Sequence, residues 1–171
     1  DSNGNILLAF VVPTDSSYPP QVNGIELLSG TTVVQTINAG LLPGGTLTIN
    51  PNTFVNQGTL QATAATLTLG GSWSNSDTLG VSGAGTLNLG GTFTTNGVGT
   101  IVRSGGTVNL TGTLDNIGST LALNAATGSW NLQGGRVNGG TYMASNGAEV
   151  VFTFQGGTLD AVTVNGDFDL A

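Results

Sequence analysis

A short motif recurs along this chain at a nearly constant spacing, and this repeat constrains the fold more than any other feature. From residue 46 onward a residue that is usually Thr is followed by an apolar, a polar and a second apolar residue. The first apolar position is filled in turn by Leu47, Leu67, Leu87, Val108, Trp130 and Phe152. The position numbers of this column rise in successive steps of 20, 20, 21, 22 and 22. Such a period is typical of proteins that stack one structural unit on the next.

Two further columns of apolar residues keep the same register, which a chance repeat of one motif would not do. Turn-forming pairs such as Gly70-Gly71 and Gly90-Gly91 separate the first column from the second, since glycine supplies the positive φ of a sharp corner. Each period therefore predicts three short strands and three corners. The second column comprises Phe54, Trp73, Phe93, Leu114, Val137 and Leu159, and the third comprises Leu60, Leu79, Ile101, Leu121, Tyr142 and Val162.

Within each predicted strand, apolar and polar residues alternate with a period of two, which indicates one buried face. The predicted fold class is all-β: a single-stranded parallel β-helix, or β-solenoid, with three short strands per coil of about 19–22 residues. Adjacent coils would lie ~4.8 Å apart, and right-handed winding follows from the usual handedness of parallel crossovers. The rival predictions are an antiparallel sandwich, which has no reason to keep three columns in phase, and a leucine-rich-repeat array, whose fixed Asn or Cys and helical return segment are not seen.

The repeat divides the chain into two parts. Residues 1–24 are predicted to form an N-terminal capping strand, Ile6–Val12, followed by a Pro-rich loop from Pro13 to Pro20. Residues 25–171 are predicted to form about six to seven solenoid coils. The sequence stops at Leu170-Ala171 in the middle of an alternation and begins at Asp1 without Met, so we expect a processed or truncated piece of a longer rod, or end-to-end contact with another chain.

Composition excludes several kinds of chemistry. Nine Asp and Glu stand against two Arg, giving a net charge of −7, and the chain has no His and no Cys; Lys is absent as well. Nucleic-acid binding through a basic surface is not expected, and zinc sites, His- or Cys-based nucleophiles and Schiff-base lysines lack their residues. No apolar run approaches the ~18 residues of a membrane span, so we expect no membrane insertion by this segment.

The Thr-Leu-x-Leu-Gly-Gly coils, together with residues 156–170, resemble the repeat regions of very large bacterial surface and secreted β-helix proteins. Autotransporter passengers and filamentous-haemagglutinin-like adhesins are examples. The resemblance covers about residues 45–171 and concerns a repeat style rather than one protein. It implies a stalk, spacer or adhesive surface outside the cell, and it supplies no catalytic residues.

Two acids raise the alternative of a polysaccharide lyase or glycosidase. The residue after each second-column position should point outward, and two of these residues are Asp115 and Asp160. Two coils apart, they would lie ~9–10 Å from each other, near the upper limit for an inverting carboxylate pair. Arg136 lies close to Asn138 in the same region. Solvated surface carboxylates are the competing interpretation, because a general acid needs an environment that raises its pKa.

Two further binding alternatives involve polar residues. Asn165, Asp167 and Asp169 place oxygen atoms at alternate positions, like a fragment of a calcium loop. The full loop is longer than this fragment and needs a closing Glu, which is absent here.

Outward Thr46, Thr48, Thr66 and Thr68 could form a regular grid that binds ice. Asn replaces the second Thr in later coils, so hydrogen-bonded ladders along the stack are the competing interpretation.

The aromatic residues Trp73, Trp130, Phe93, Phe152 and Phe154 are predicted to point into the core. Phe152 is expected to stack over Trp130 in the wider coils, which have the longest period. Arg103 and Arg136 are expected to be surface residues.

The function predicted overall is a non-catalytic structural or adhesive segment of an extracellular bacterial surface protein. No cofactor is required, and glycans or the surface of a host or neighbouring cell are the candidate partners.

Overall fold

The structure, a computed structural model, describes residues 24–27, 32–35 and 44–170. The predicted capping strand at Ile6–Val12 and the Pro13–Pro20 loop lie outside the described residues. Among the described residues the only helical element is a short 3₁₀ turn, Asn96–Val98. The strands are β1 (Gly24–Leu27), β2 (Thr32–Gln35), β3 (Thr46–Ile49), β4 (Thr53–Asn56), β5 (Leu60–Thr63), β6 (Thr66–Leu69), β7 (Ser72–Asn75), β8 (Thr78–Leu89), β9 (Thr92–Thr94), β10 (Thr100–Leu110), β11 (Thr113–Asp115), β12 (Thr120–Leu123), β13 (Trp130–Leu132), β14 (Arg136–Asn138), β15 (Thr141–Ala144), β16 (Val150–Phe152), β17 (Thr158–Asp160), β18 (Thr163–Asn165) and β19 (Phe168–Leu170).

These strands form three parallel sheets that run along the stack of coils. The first sheet has the order β1-β3-β6-β8-β10-β13-β16-β19, with β5 also paired to β8. The second sheet has the order β2-β4-β7-β9-β11-β14-β17, and the third is β12-β15-β18. The predicted parallel β-solenoid is therefore confirmed, with about six stacked coils.

The first two apolar columns are aligned as the repeat predicts through most of the rod. Leu47 pairs with Leu67, and Leu67 pairs with Leu87, which in turn pairs with Val108. All four side chains are almost completely buried. In the second sheet Leu114 lies between Phe93 and Val137. The core is thus a set of continuous lines of apolar side chains parallel to the rod axis.

Two middle coils differ from the three-separate-strand plan. β8 and β10 are 12 and 11 residues long, and each continues from the third side of one coil into the first side of the next. Glycines carry the bend: Gly83 in β8 has a φ of 57°, and the register between the two strands shifts between Gly105 and Thr107. Because glycine tolerates positive φ, the chain turns this corner without a separate loop.

A column of glycines marks the corner between the first and second sheets. Gly71 and Gly91 have φ of 65° and 60°. A Cβ placed on Gly91 would overlap the carbonyl oxygen of Gly71, and one on Gly112 would overlap that of Gly91. The successive coils approach so closely here that only glycine fits, which is the physical reason for the repeated Gly-containing pairs.

The predicted register is wrong in the last coils. Val150, not Phe152, lies over Trp130, and Phe152 instead pairs with Leu132. Phe152 is the last residue of β16, and the next corner begins at Thr153, whose backbone carbonyl accepts a hydrogen bond from Gly156. The apparent repeat Val151-Phe152-Thr153-Phe154 is therefore strand up to Phe152 and turn from Thr153.

Two further corrections follow from this shift. Val164, not Val162, pairs with Tyr142 in the third column, and Phe154 lies in the corner with its side chain 93% exposed. The step from Trp130 to its partner Val150 is no longer than the step from Leu47 to Leu67, so the predicted link between an aromatic pair and a wider coil fails.

The other aromatic predictions are confirmed. Trp73, Phe93 and Trp130 are buried, and the rings of Trp73 and Phe93 stack with their centroids 4.3 Å apart. These rings fill the core on the first two sides of the coil.

Candidate functional site

The two predicted catalytic candidates lie on one outward column of the second sheet. Asp115 pairs with Asn138, and Asn138 pairs with Asp160, so the two acids are separated by two strand spacings, or ~9–10 Å. The Asp115 carboxylate accepts a hydrogen bond of 3.2 Å from the backbone N–H of Ile117. The predicted outward placement of the two acids, two coils apart, is confirmed.

Asp160 forms an ion pair with Arg136 on the same face. The side chains of Arg136 and Asp160 are 49% and 45% exposed, respectively. Exposed pairs of this kind contribute ~0–1 kcal/mol, because water screens both charges. One of the two candidate carboxylates is thus held by a surface arginine, which is typical of a solvated face rather than of an enclosed acid.

The predicted calcium residues straddle a corner at the end of the described chain. Asn165 ends β18 in the third sheet, Asp169 lies in β19 of the first sheet, and Asp167 is in the corner between them. The backbone carbonyl of Asp167 accepts a hydrogen bond of 2.6 Å from the Tyr142 hydroxyl. Within the described ranges no group of three or more acidic, His or Cys side chains is placed to hold a metal ion.

The threonine grid is present but ends after two coils. Thr46 pairs with Thr66 and Thr48 pairs with Thr68, all partly exposed on the first sheet. The next outward residue after Thr68 is Asn88, and its side-chain amide donates a hydrogen bond of 3.0 Å to the Thr68 hydroxyl. Outward polar groups on this face are therefore engaged with one another.

This contact begins a polar ladder along the rod axis. Asn109 donates to the Asn88 side-chain oxygen at 2.8 Å, and Asn131 donates to that of Asn109 at 3.0 Å. We call Thr68, Asn88, Asn109 and Asn131 the outer ladder. Because an amide can both donate and accept, the ladder adds a side-chain hydrogen bond between successive coils beside the backbone bonds.

A second set of asparagines, which the sequence interpretation missed, is buried at the corner after the second sheet. Asn56, Asn75 and Asn116 are each at least nine-tenths buried. The Asn56 side-chain amide donates to the Asn75 side-chain oxygen at 2.6 Å, and that of Asn75 donates to the carbonyls of Asp77 and Val98, both at 2.8 Å.

Asn116 repeats this pattern, since it donates to the carbonyls of Gly139 and Thr141, both at 3.0 Å. These amides satisfy carbonyl groups of the corner. The signal was present in the sequence, because each of the three asparagines comes two positions after a second-column residue.

Two other polar side chains also have structural partners. The Arg103 guanidinium donates to the carbonyls of Ser129, Gly106 and Gly105 at 2.5, 2.7 and 3.3 Å. It thus braces the bend of β10 against the next coil, while Arg103 itself stays partly exposed.

The Tyr142 hydroxyl accepts a hydrogen bond of 2.8 Å from the backbone N–H of Val150. Burial raises the pKa of the Tyr142 phenol, and the carboxylates of Glu149 and Asp167 add to this increase while the Val150 hydrogen bond opposes it. The phenol is therefore held in its neutral form as a link between coils.

Comparisons with known proteins assign no family to this chain. No family model, no curated protein and no solved structure matches the chain. In the part of the chain that the structure covers, no helix has the length and apolar character needed to cross a membrane.

Proposed function

We propose that this chain is a non-catalytic structural segment of an extracellular bacterial surface protein, serving as a stiff stalk or adhesion rod. The observation that carries the proposal is the use of side chains along the rod axis. Inward residues form continuous apolar lines, and outward amides of the outer ladder bond to one another from coil to coil. Groups arranged in this way strengthen the contact between coils, as a rod under tension requires.

Single-molecule stretching tests the stalk role. The chain is placed between reference domains of known strength and pulled from its ends. We expect unfolding in successive steps, because each coil contacts only its neighbours, and one coil should release about 65–80 Å of chain. Leu87→Ala, which removes a fully buried side chain, should lower the force, whereas Val102→Ala on the exposed surface should not. Unfolding of the unmodified chain at a lower force than an α-helical reference domain would contradict the proposal.

The extracellular placement has a separate test. Antibodies raised against this chain should label intact cells of the organism that encodes it, without permeabilisation. Labelling that appears only after the cells are opened would contradict a surface location.

Adhesion is supported by one exposed aromatic residue. Phe154 lies at a corner with its side chain 93% exposed, and an exposed ring offers a face for the apolar side of a sugar. A glycan array should show binding that Phe154→Ala weakens and that Ile117→Ala leaves unchanged, since Ile117 is an exposed apolar residue at a different corner. If no glycan binds, or if both variants lose binding equally, glycan adhesion through Phe154 is wrong.

A further inference from the structure

The third side of the rod is interrupted at one level in the middle of the described stack. Residues 100–105 of β10 pair with β8, whereas β12, which forms the third side of the next coil, pairs with β15. Among the described strands no pairing joins residues 100–105 to β12. We call this place the break. The other successive third-side strands from β5 to β18 are paired with one another.

The first and second sides continue across the same level. Residues 86–89 of β8 pair with residues 107–110 of β10 on the first side, and β9 pairs with β11 on the second. The two coils that meet at the break are therefore joined by backbone ladders on two sides instead of three.

The sequence explains the break at the corner that follows the third side. A Cβ on Gly85 would overlap the carbonyl oxygen of Ala62, and one on Gly106 would overlap that of Gly85. Glycine thus lets this corner stack closely as a continuous strand in the coils before the break. In the next coil the corner residues 124–129 contain glycine only at Gly128, and they form a loop. Because the continuous bend is replaced by a loop, β12 is not held in register with β10.

One side chain joins the two corners beside the break. The Arg103 guanidinium donates to the carbonyls of Gly105 and Gly106 in β10 and to that of Ser129 in the next corner. It lies so close to Gly128 that a Cβ on this glycine would overlap it. Since a guanidinium holds several donors in a fixed fork, Arg103 supplies hydrogen bonds where strand pairing is missing.

We infer that the break is a joint: the coils before it and the coils after it open from each other as two cooperative units, and Arg103 is the clasp that holds them closed. Opening at this level disrupts two ladders and the Arg103 bonds, so it should cost less than separating fully paired coils. The joint is a property of the fold and does not depend on the proposed role as a stalk.

A uniform stack would behave differently. Its terminal coils open most easily, so the protection of backbone amides from hydrogen exchange would rise to a maximum near the centre. The joint instead predicts a minimum of protection at the break, between two better protected regions.

Three backbone amides provide a matched comparison across this region. The N–H groups of Thr92, Thr113 and Arg136 donate to the carbonyls of Gly71, Gly91 and Gly112, at 2.7, 2.8 and 2.8 Å. Each bond joins one coil to the coil before it at the start of a second-side strand. Only the Thr113 bond joins the two coils that meet at the break.

Hydrogen exchange of the full chain in D₂O, followed by NMR, tests the inference. We expect the protection factor of the Thr113 amide to be at least about tenfold below those of Thr92 and Arg136. Arg103→Met keeps an apolar stem but removes the donors, and it should lower the Thr113 protection factor at least about tenfold further, because hydrogen bonds from a charged group are lost. Arg103→Lys keeps the charge without the fork and should cause a smaller loss.

Arg136→Met is the matched control, because it removes the exposed guanidinium that pairs with Asp160 on the second sheet. It should leave the Thr113 protection factor unchanged. Thermal unfolding by circular dichroism checks that each variant is folded, and if Arg103→Met does not fold, Arg103→Lys and the unmodified chain decide.

Three results would overturn the inference. The first is a Thr113 amide that is protected as well as those of Thr92 and Arg136. The second is the same change at Thr113 in the Arg103 variants and in Arg136→Met. The third is a loss of protection in the Arg103 variants that is equal at all three amides, since this would show a general loss of stability without a joint.

Discussion

At the scale of single residues, several polar side chains of this rod hydrogen-bond to the backbone of neighbouring segments. Tyr142 links three parts of the chain, since its hydroxyl contacts the backbone of Val150 and Asp167. Trp73 and Trp130 occupy the core, but their indole groups differ. Trp73 Nε1 donates to the carbonyl of Gly90 at 2.8 Å, and Trp130 Nε1 has no hydrogen-bond partner among the described residues.

Tyr142 predicts a loss of stability at alkaline pH. Burial raises its pKa in the folded protein above the unfolded value of about 10. The stabilisation of the neutral phenol is thus complete below about pH 10 and is lost as the pH rises through the folded pKa. Tyr142→Phe should remove this part of the alkaline decline. Chemical unfolding at several pH values measures the effect, and an unchanged alkaline decline in the variant would contradict this role.

The same variant has a second expected effect at neutral pH. Tyr142→Phe leaves the Val150 N–H without its acceptor. The free energy of unfolding at pH 7 should therefore fall by about 1–3 kcal/mol.

The two tryptophans predict unequal costs for the same substitution. Trp73→Phe removes a hydrogen bond and leaves the Gly90 carbonyl without this donor. Trp130→Phe removes an N–H that lacks a partner among the described residues. Both lose similar apolar volume, so Trp73→Phe should be more destabilising by about 1–3 kcal/mol. Urea unfolding of the two variants gives the comparison; equal costs would show that the indole hydrogen bond adds nothing.

At the scale of elements, hydrogen-bonded side-chain ladders reinforce the sheets. The outer ladder follows the surface of the first sheet, and the buried asparagines follow a corner of the second. The Arg103 brace holds the bend in β10 where strand pairing shifts. The buried asparagines and Arg103 act where a strand ends or bends, which are the places where backbone pairing alone leaves carbonyl groups unsatisfied.

Asn109 provides a test of the outer ladder. Asn109→Asp keeps the shape of the side chain but replaces the N–H donor to Asn88 by a carboxylate oxygen. We expect a loss of about 1–3 kcal/mol at pH 7, with partial recovery at about pH 4 or below, where a protonated carboxyl group can donate again. Asn131→Asp, at the more exposed end of the ladder, should cost less. Unfolding by urea at both pH values measures this, and a cost independent of pH would contradict the ladder.

At the scale of the whole molecule, the rod is a one-dimensional stack in which each coil contacts the coils on either side. Stability should then be approximately a sum of coil and interface contributions. The inward column of the first sheet continues without a break from Leu47 to Val108. One whole coil can therefore take the place of another, whereas part of a coil cannot take the place of a whole one.

Deletion of one period should be tolerated. Removing residues 66–85 brings Thr86 and Leu87 into the places of Thr66 and Leu67, with which they already pair. The shortened chain should fold with unchanged circular dichroism per residue and a modestly lower melting temperature. Removing residues 66–75, half of a period, should prevent cooperative folding, because the three columns are no longer aligned. If both deletions behave alike, the columns do not determine the fold.

The repeat by itself determined the architecture, since a two-residue alternation that recurs with a nearly constant period can bury its apolar residues in phase only by stacking coil on coil. It also located most inward positions and the outward placement of Asp115 and Asp160. A Thr precedes most third-column residues, and Thr163 precedes Val164 in the same way. This local pattern favours Val164 over Val162 as the last member of the third column, but the spacing of the repeat hid it.

Other features needed the tertiary structure. The register of the last coils is one of them, because Thr153 fits the strand motif in sequence and turns the chain in three dimensions. The long-range partners of Arg103 and of the buried asparagines are another. The bonds from Arg103 to Ser129, from Asn56 to Asn75 and from Asn75 to Val98 join residues that are far apart in sequence and that only stacking brings together.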